Sequence, residues 1–340
     1  IRTTIPPGTR PVRARDPLSW KFWFYRGFLP ALRRLGPARG DAVLGGLGRL
    51  AAALWPPRRA AHAAALARAR TALRADWAPA ALGAALAANA PRFLARDYPL
   101  DDPSDAAILA RFDIEGDGPL RAALAEGRGA ILVGSHLGAH IAAVHGLYRL
   151  GVPLRLLVQR PNHVSRELNR RFDRDDAPHR QSEFFLRRGL APGQAVERLV
   201  RARAALRDGL AVYLTGDIPW SGPNSRPGRL LGQSQSFLAV WADLAALTRA
   251  PVFLLFCIHR PGGRYALTID PPWTLAPGDE GGAVARYLAR LDAEIAAHPA
   301  DAVAHLLWPC YGPPPADARP APALRPGRRV APAAAPLTQC

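Results

Sequence analysis

A chain of 340 residues, 49% hydrophobic and 21% charged, holds enough apolar material for one large core, or one core with a helical appendage, and is not globally disordered. Its net charge of +18 is almost wholly arginine, since Lys21 is the only lysine; so positive a surface attracts anionic headgroups, nucleic acid or an acidic carrier protein. Cys257, Cys310 and Cys340 are widely separated, without metal-ligand spacing, which excludes a disulfide framework or zinc knuckle and fits a reducing compartment. No methionine is present, and the opening Ile-Arg-Thr-Thr reads as a processed or trimmed end without a signal-peptide core. No apolar run reaches the ~18 residues a membrane-spanning helix needs.

In chain order, residues 1–16 read as a flexible N-terminus and 17–98 as short helices broken at Pro30, Pro37, Pro56-Pro57 and Pro79. Within this part, residues 20–32 are rich in aromatics, with Lys21, Arg26 and the following Arg33-Arg34. That composition fits a helix lying in a headgroup plane, or equally a core-facing helix with a basic rim. Residues 99–119 are transitional. Beyond them 130–133, 154–158, 210–214 and 252–258 are strand-like, while 137–150, 195–206 and 237–247 are helix-like. This alternation predicts an α/β fold, a mainly parallel sheet flanked by helices. Residues 264–269 follow Pro261-Gly262-Gly263 and are expected to pair antiparallel with the preceding strand. A last amphipathic helix is expected at 282–297, closing a single α/β domain over 17–312. From 313 to 340 the chain is Pro/Ala-rich and reads as a flexible tail.

Chemistry concentrates in Gly134-Ser135-His136-Leu137-Gly138-Ala139-His140, directly after the strand 130–133 and opening a helix. In an open α/β sheet this is the crevice at the carboxyl end of a strand, where ligands bind. It marks His136 as a general-base candidate, although a lone histidine is commonly only a satisfied polar residue. His136 and His140, four apart, have a spacing that can ligate zinc, and His145 follows about one and a half turns on, but a site needs at least a third ligand with support around it and no HExxH motif is present, so a metal is not expected.

The segment Gly127-Arg128-Gly129 through Gly134-Ser135-His136-Leu137-Gly138 resembles the Gly-Arg-Gly turn, strand and His-Phe-Gly-Asn-Trp-Glu motif of the lipid A biosynthesis late acyltransferases, within the glycerolipid acyltransferase superfamily. Gln159-Arg160-Pro161-Asn162 resembles that family's Tyr-Arg-Pro-Asn, and residues 205–209 followed by 213–217 resemble its Leu-x-x-Gly strand ending in aspartate. Thr248-Arg249-Ala250-Pro251-Val252 and His298-Pro299 with Trp308 resemble further family segments, in the family's order. The resemblance implies transfer of an acyl chain from an acyl-carrier-protein or coenzyme A thioester to a hydroxyl or amine of a lipid or glycolipid. It implies no cofactor, and peripheral attachment to an anionic surface, the cytoplasmic face of a bacterial inner membrane. Nucleic acid is not expected as a partner, because no RNA-binding aromatic motif, helix-turn-helix or clustered basic stripe is present.

In that family a glutamate five residues after the histidine orients the imidazole; here the position is Ile141, which can neither accept a hydrogen bond nor balance a charge. Asp217, at the carboxyl end of another strand, is the candidate replacement, with a turn or helix cap as its alternative reading. Loss of the motif carboxylate also fits a catalytically altered relative that binds lipid or acyl carrier for a partner enzyme. Ser135, Gly138 and His140 are candidate substrate-binding residues by position, as are Arg160, Arg171 and Arg174 for an acceptor phosphate or the carrier's phosphopantetheine arm, with a solvated helix face as their alternative reading. Asn162 is a further candidate and an expected helix N-cap. Gly228 to Gly232 stands where the family has an aromatic loop lining the acyl slot, with the aromatics missing.

Overall fold

The computed structural model describes residues 20–186, 192–302 and 306–311. The flexible termini expected at 1–16 and 313–340, and Cys340, lie outside the described residues.

The aromatic N-terminal segment forms α1 (Trp20–Trp23), a π-helical turn (Phe24–Phe28) and α2 (Leu29–Arg33) in succession. Then come α3 (Pro37–Leu54), α4 (Pro56–Leu73) and α5 (Pro79–Ala95). The expectation of short helices here is corrected, since α3 and α4 run 18 residues each and α5 17. The prolines that suggested breaks stand in the first turn of each helix, where a missing N–H costs nothing and the fixed φ favours helix initiation.

After α6 (Asp105–Leu109), the α/β part contains β1 (Phe112–Glu115), α7 (Asp117–Ala125), β2 (Ala130–Gly134), α8 (His140–Arg149), β3 (Leu154–Leu156) and α9 (Arg166–Phe172). It continues with α10 (Pro192–Arg207), β4 (Ala211–Thr215), β5 (Ser225–Leu230), β6 (Gln233–Leu238), α11 (Val240–Thr248), β7 (Val252–Arg260), β8 (Arg264–Ile269) and α12 (Glu280–Ala297). Six strands form one sheet in the order β1-β8-β7-β2-β4-β3. Every neighbouring pair is parallel except the β7–β8 hairpin, so the mainly parallel α/β sheet and the antiparallel 264–269 strand are both observed.

Period-two alternation sends side chains to two cores. Ile131, Val133, Val212, Leu214 and Leu254 pack on one face with Leu66 of α4, Trp241 of α11 and Tyr287 of α12. Ala130, Leu132, Tyr213, Phe253 and Leu255 pack on the other with Leu120 of α7, Leu147 of α8 and Leu168 of α9. Two elements escaped the sequence reading. β1 falls in the stretch read as transitional, and its four residues are too few to show a period. The β5–β6 hairpin includes Gly228 to Gly232 and is mostly polar and half-exposed; its turn puts Leu231 and Gly232 at φ +50° and +77°. β3 is shorter than expected because Leu156 is held on one side by the Gln181 side-chain amide, which accepts from its N–H and donates to its carbonyl.

The strand ends under the motif are fixed by close packing. Tyr287 donates its hydroxyl to the carbonyl of Gly134, 2.9 Å away, and its ring lies where a Cβ on Gly216 would fall, at 2.6 Å. Gly134 also accepts from the N–H of Gly216, so it stays satisfied without the phenol. Tyr287→Phe is therefore expected to lower unfolding stability by only about 1 kcal/mol, the net worth of one hydrogen bond, in urea melts.

Candidate active site

β2 and β4 lie side by side in parallel, with Gly134 opposite Thr215. Continuing that register by two residues sets His136 against Asp217. The Asp217 carboxylate accepts the His136 backbone N–H at 2.7 Å and stands 2.9 Å from the ring Nδ1. Because an ionised carboxylate only accepts, Nδ1 carries the proton and Nε2 is left basic. Asp217 is fully buried and the His136 side chain 24% exposed, so the carboxylate is sealed beneath a ring whose edge reaches solvent. Burial works against the imidazolium, but the charge and hydrogen bond of Asp217 outweigh it. The pKa of His136 is consequently raised above its ordinary value, against a smaller opposing effect of the Arg96 guanidinium.

The expected helix start at 137 is corrected to His140. Residues 135–139 form a tight turn pinned from outside: Gly138 N–H donates to the Asp301 carbonyl (2.9 Å), and Ala139 N–H to the Cys257 carbonyl (2.7 Å). Gly138 has φ +54°, and a Cβ there would come within 2.6 Å of the Cys257 carbonyl oxygen, so only glycine fits without strain. Ser135 is buried and its hydroxyl accepts from the Leu137 N–H. His140 lies between rings, 5.0 Å from His136 and 5.2 Å from Phe93 by centroids, so these two histidines meet through the turn, not along a helix face. His145 is elsewhere, buried, accepting from Arg149 and close to Asp97. Among the described residues no group of three His, Cys, Asp or Glu side chains is placed to hold a metal.

Ile141, at the position of the missing motif carboxylate, is buried in the second core with Leu120, Ala142 and Leu147. The carboxylate that meets the imidazole comes instead from β4. The arginine candidates make contacts away from this pair. Arg160 bonds Asp173 and Asn169. Arg171 bonds Glu167 and Asp105 and reaches the Tyr148 carbonyl, near the far end of α8, about 12 Å along the helix from His140. Arg174 is exposed beside Asp176. Asn162 is exposed and does not cap α9; Ser165 does, its hydroxyl accepting from Leu168 N–H, because the helix starts later than the sequence suggested.

Three participants were missed in the sequence, which carries at most a faint signal for them. Asp301 braces the turn through its carbonyl, while its carboxylate stands 2.9 Å from Nδ1 of His259 and accepts from Asn89. Asp301 sits just past the His298-Pro299 pair, the only hint of its place. His259 is hidden in the apolar β7, and Arg96 is one arginine among many. Cys257, beside the turn, is no nucleophile, since burial pushes its thiol far up.

A parallel-sheet crevice with a histidine held on a buried carboxylate defines an α/β scaffold with a candidate acid–base pair at a strand end. A family model described as bacterial lipid A biosynthesis acyltransferase matches residues 10–304, and the chain belongs to this family. Membership brings with it acyl transfer to a lipid acceptor. No curated protein matches the chain.

The raised pKa has a measurable sign. In an NMR titration, the His136 ring is expected to titrate above ~6.5, the ordinary value, and in Asp217→Asn below it, since that change removes the stabilising charge and leaves burial.

Proposed function

We propose that the chain moves an acyl chain from an acyl-carrier-protein or coenzyme A thioester to a hydroxyl or amine of a lipid or glycolipid, with His136 as general base and Asp217 as its orienting carboxylate. The two-point hold of Asp217 on His136, backbone and ring together, is the observation that carries this reading. In the reaction, Nε2 takes the acceptor proton as its oxygen or nitrogen attacks the thioester carbonyl, and Asp217 balances the imidazolium. Collapse of the tetrahedral intermediate breaks the carbon–sulfur bond, and the departing thiolate takes the proton from Nε2. The N–H groups of Leu137, Gly138 and Ala139 are already committed, so stabilisation of the oxyanion falls to the positive end of α8, which begins at His140.

Expected outcomes follow from these roles. His136→Ala and Asp217→Asn each lower kcat by about 10²–10⁴, with KM nearly constant, whereas His140→Ala costs less than about tenfold. A radiolabelled acyl-thioester assay checks this. Unchanged turnover in His136→Ala sinks the base assignment, and absence of transfer in the unaltered chain favours a lipid- or carrier-binding role.

Exposed apolar residues beside basic ones support a peripheral site at an anionic membrane surface, and the family match makes the cytoplasmic face of a bacterial inner membrane our proposed location. Trp23 is 63% exposed beside Lys21 and Arg26, while Tyr25, Leu29 and Leu32 turn inward, so α1–α2 is half core and half amphipathic surface. A second apolar ridge runs along α3 through Leu47, Leu50 and Leu54 to Trp55, the last two 75% and 65% exposed, with Arg49, Arg58 and Arg59 exposed around it. Among the described residues no helix is long and apolar enough to cross a membrane. Flotation with anionic vesicles is expected to recover the chain, to weaken with added salt as each basic residue's ~1 kcal/mol is screened, and to fall in a Leu50→Glu/Leu54→Glu variant. Recovery independent of both salt and anionic lipid counts against this placement.

A further inference from the structure

Away from the His136 crevice, a cavity of about 290 Å³ is enclosed by α2, α3, α6, the β7–β8 turn and the start of β1. Leu29, Leu32, Leu44, Ile108 and Tyr265, all buried, form its apolar walls. Neither the turn at 135–139 nor Asp217 contributes to the lining. The cavity meets that turn through intermediates: His259 in its wall stands 2.9 Å from the Asp301 carboxylate, and the Asp301 carbonyl holds Gly138. Arg33, Gly36 and Pro37 form part of the rim, next to Leu35, which is 47% exposed.

Three arginines and two aspartates line this space, so positive charge is in excess by one. Arg33 pairs with Asp101 and Arg92 with Asp41. The remaining aspartate, Asp102, turns its carboxylate to the N–H of Ser104. Arg111 is left without a carboxylate at ion-pair distance among the described residues. Its Nε and one terminal nitrogen donate to the Gly263 carbonyl, and the other terminal nitrogen donates to the carbonyl of Pro99. A guanidinium has five N–H groups, so two remain for a ligand. A half-buried cation beside apolar walls, with no fixed anion to balance it, is a site that an anionic amphiphile completes.

We propose that this cavity is a second ligand site, for a medium-chain carboxylate such as octanoate, with its carboxylate on Arg111 and its chain against Leu29, Leu32, Leu44 and Ile108. Volume sets the size of the ligand. At roughly 30 Å³ for each water-sized group the cavity takes about ten heavy atoms, as many as octanoate has. Charge sets the head. One surplus positive charge matches one carboxylate, whereas a phosphate dianion would face Asp41 and Asp102 without a second free cation. The site stands independently of the acyltransferase reading, since neither His136 nor Asp217 takes part in it.

Calorimetric titration of the intact chain with butanoate, hexanoate, octanoate, octylammonium and 1-octanol tests this. Affinity is expected to rise about threefold for each methylene buried between butanoate and octanoate, and octanoate to bind at least tenfold more tightly than octylammonium. Gly40 of α3 lines the cavity, and a Cβ there would meet nothing closer than Leu32, at 3.6 Å. Gly40→Leu therefore fills the space from a wall that makes no bond to Arg111. That variant is expected to bind octanoate at least tenfold more weakly and to melt no lower than the unaltered chain, since leucine is the better helix former. Arg111→Met is expected to weaken octanoate at least tenfold and to hold 1-octanol within twofold, which separates the head contact from the integrity of the fold. Octanoate binding untouched by Gly40→Leu puts the ligand elsewhere, the crevice included, and overturns the proposal. Equal affinity for octanoate and octylammonium overturns it too, as does affinity that does not grow with chain length.

Discussion

One carboxylate organises the crevice. Asp217 takes a backbone N–H and a ring nitrogen of the same residue, so it fixes the main chain of the turn and the tautomer of His136 in a single contact. This is possible because β2 and β4 are parallel neighbours in a register that runs two residues past the last paired position. A helix-borne carboxylate at position 141 is the alternative suggested by the motif that the sequence resembles. Ile141 gives that position to the core, and the sheet supplies the charge from the next strand.

The turn that carries His136 is held as firmly on its other side. Gly138 and Ala139 donate to carbonyls of residues 301 and 257, and the Asp301 carboxylate is in turn fixed by His259 and Asn89. Asn89 accepts from Arg92, which pairs with Asp41 of α3. A continuous chain of hydrogen bonds and ion pairs thus runs from the turn to the helix that bears the exposed Leu50–Leu54 ridge. The N-terminal helices are part of the site's support and not a separate appendage. They also supply Phe93 against His140.

Electrostatics divides the arginines by what they meet. Arg92, Arg171 and Arg290 are partnered within the chain, and such pairs add little net stability while fixing geometry. Arg111 meets carbonyls instead, those of Gly263 and Pro99, and so ties the start of β1 to the β7–β8 turn.

The sequence by itself determined the type of most elements and the place of the candidate base. Four apolar strand segments, the helices between them and a histidine at a strand's carboxyl end follow from local periodicity and turn residues, which depend on neighbours along the chain. It also marked Asp217, as the residue ending another strand. What only the tertiary structure decided is which strand ends are adjacent, and hence that Asp217 meets His136 while Arg160, Arg171 and Arg174 turn to other carboxylates. Strand order is set by crossovers and by packing on both faces of the sheet, information spread over residues as far apart as Gly134 and Tyr287. For the same reason Asp301 and His259 left no clear local trace. Their contacts come from residues 42 to 212 positions away, brought together only when the two cores close on the sheet.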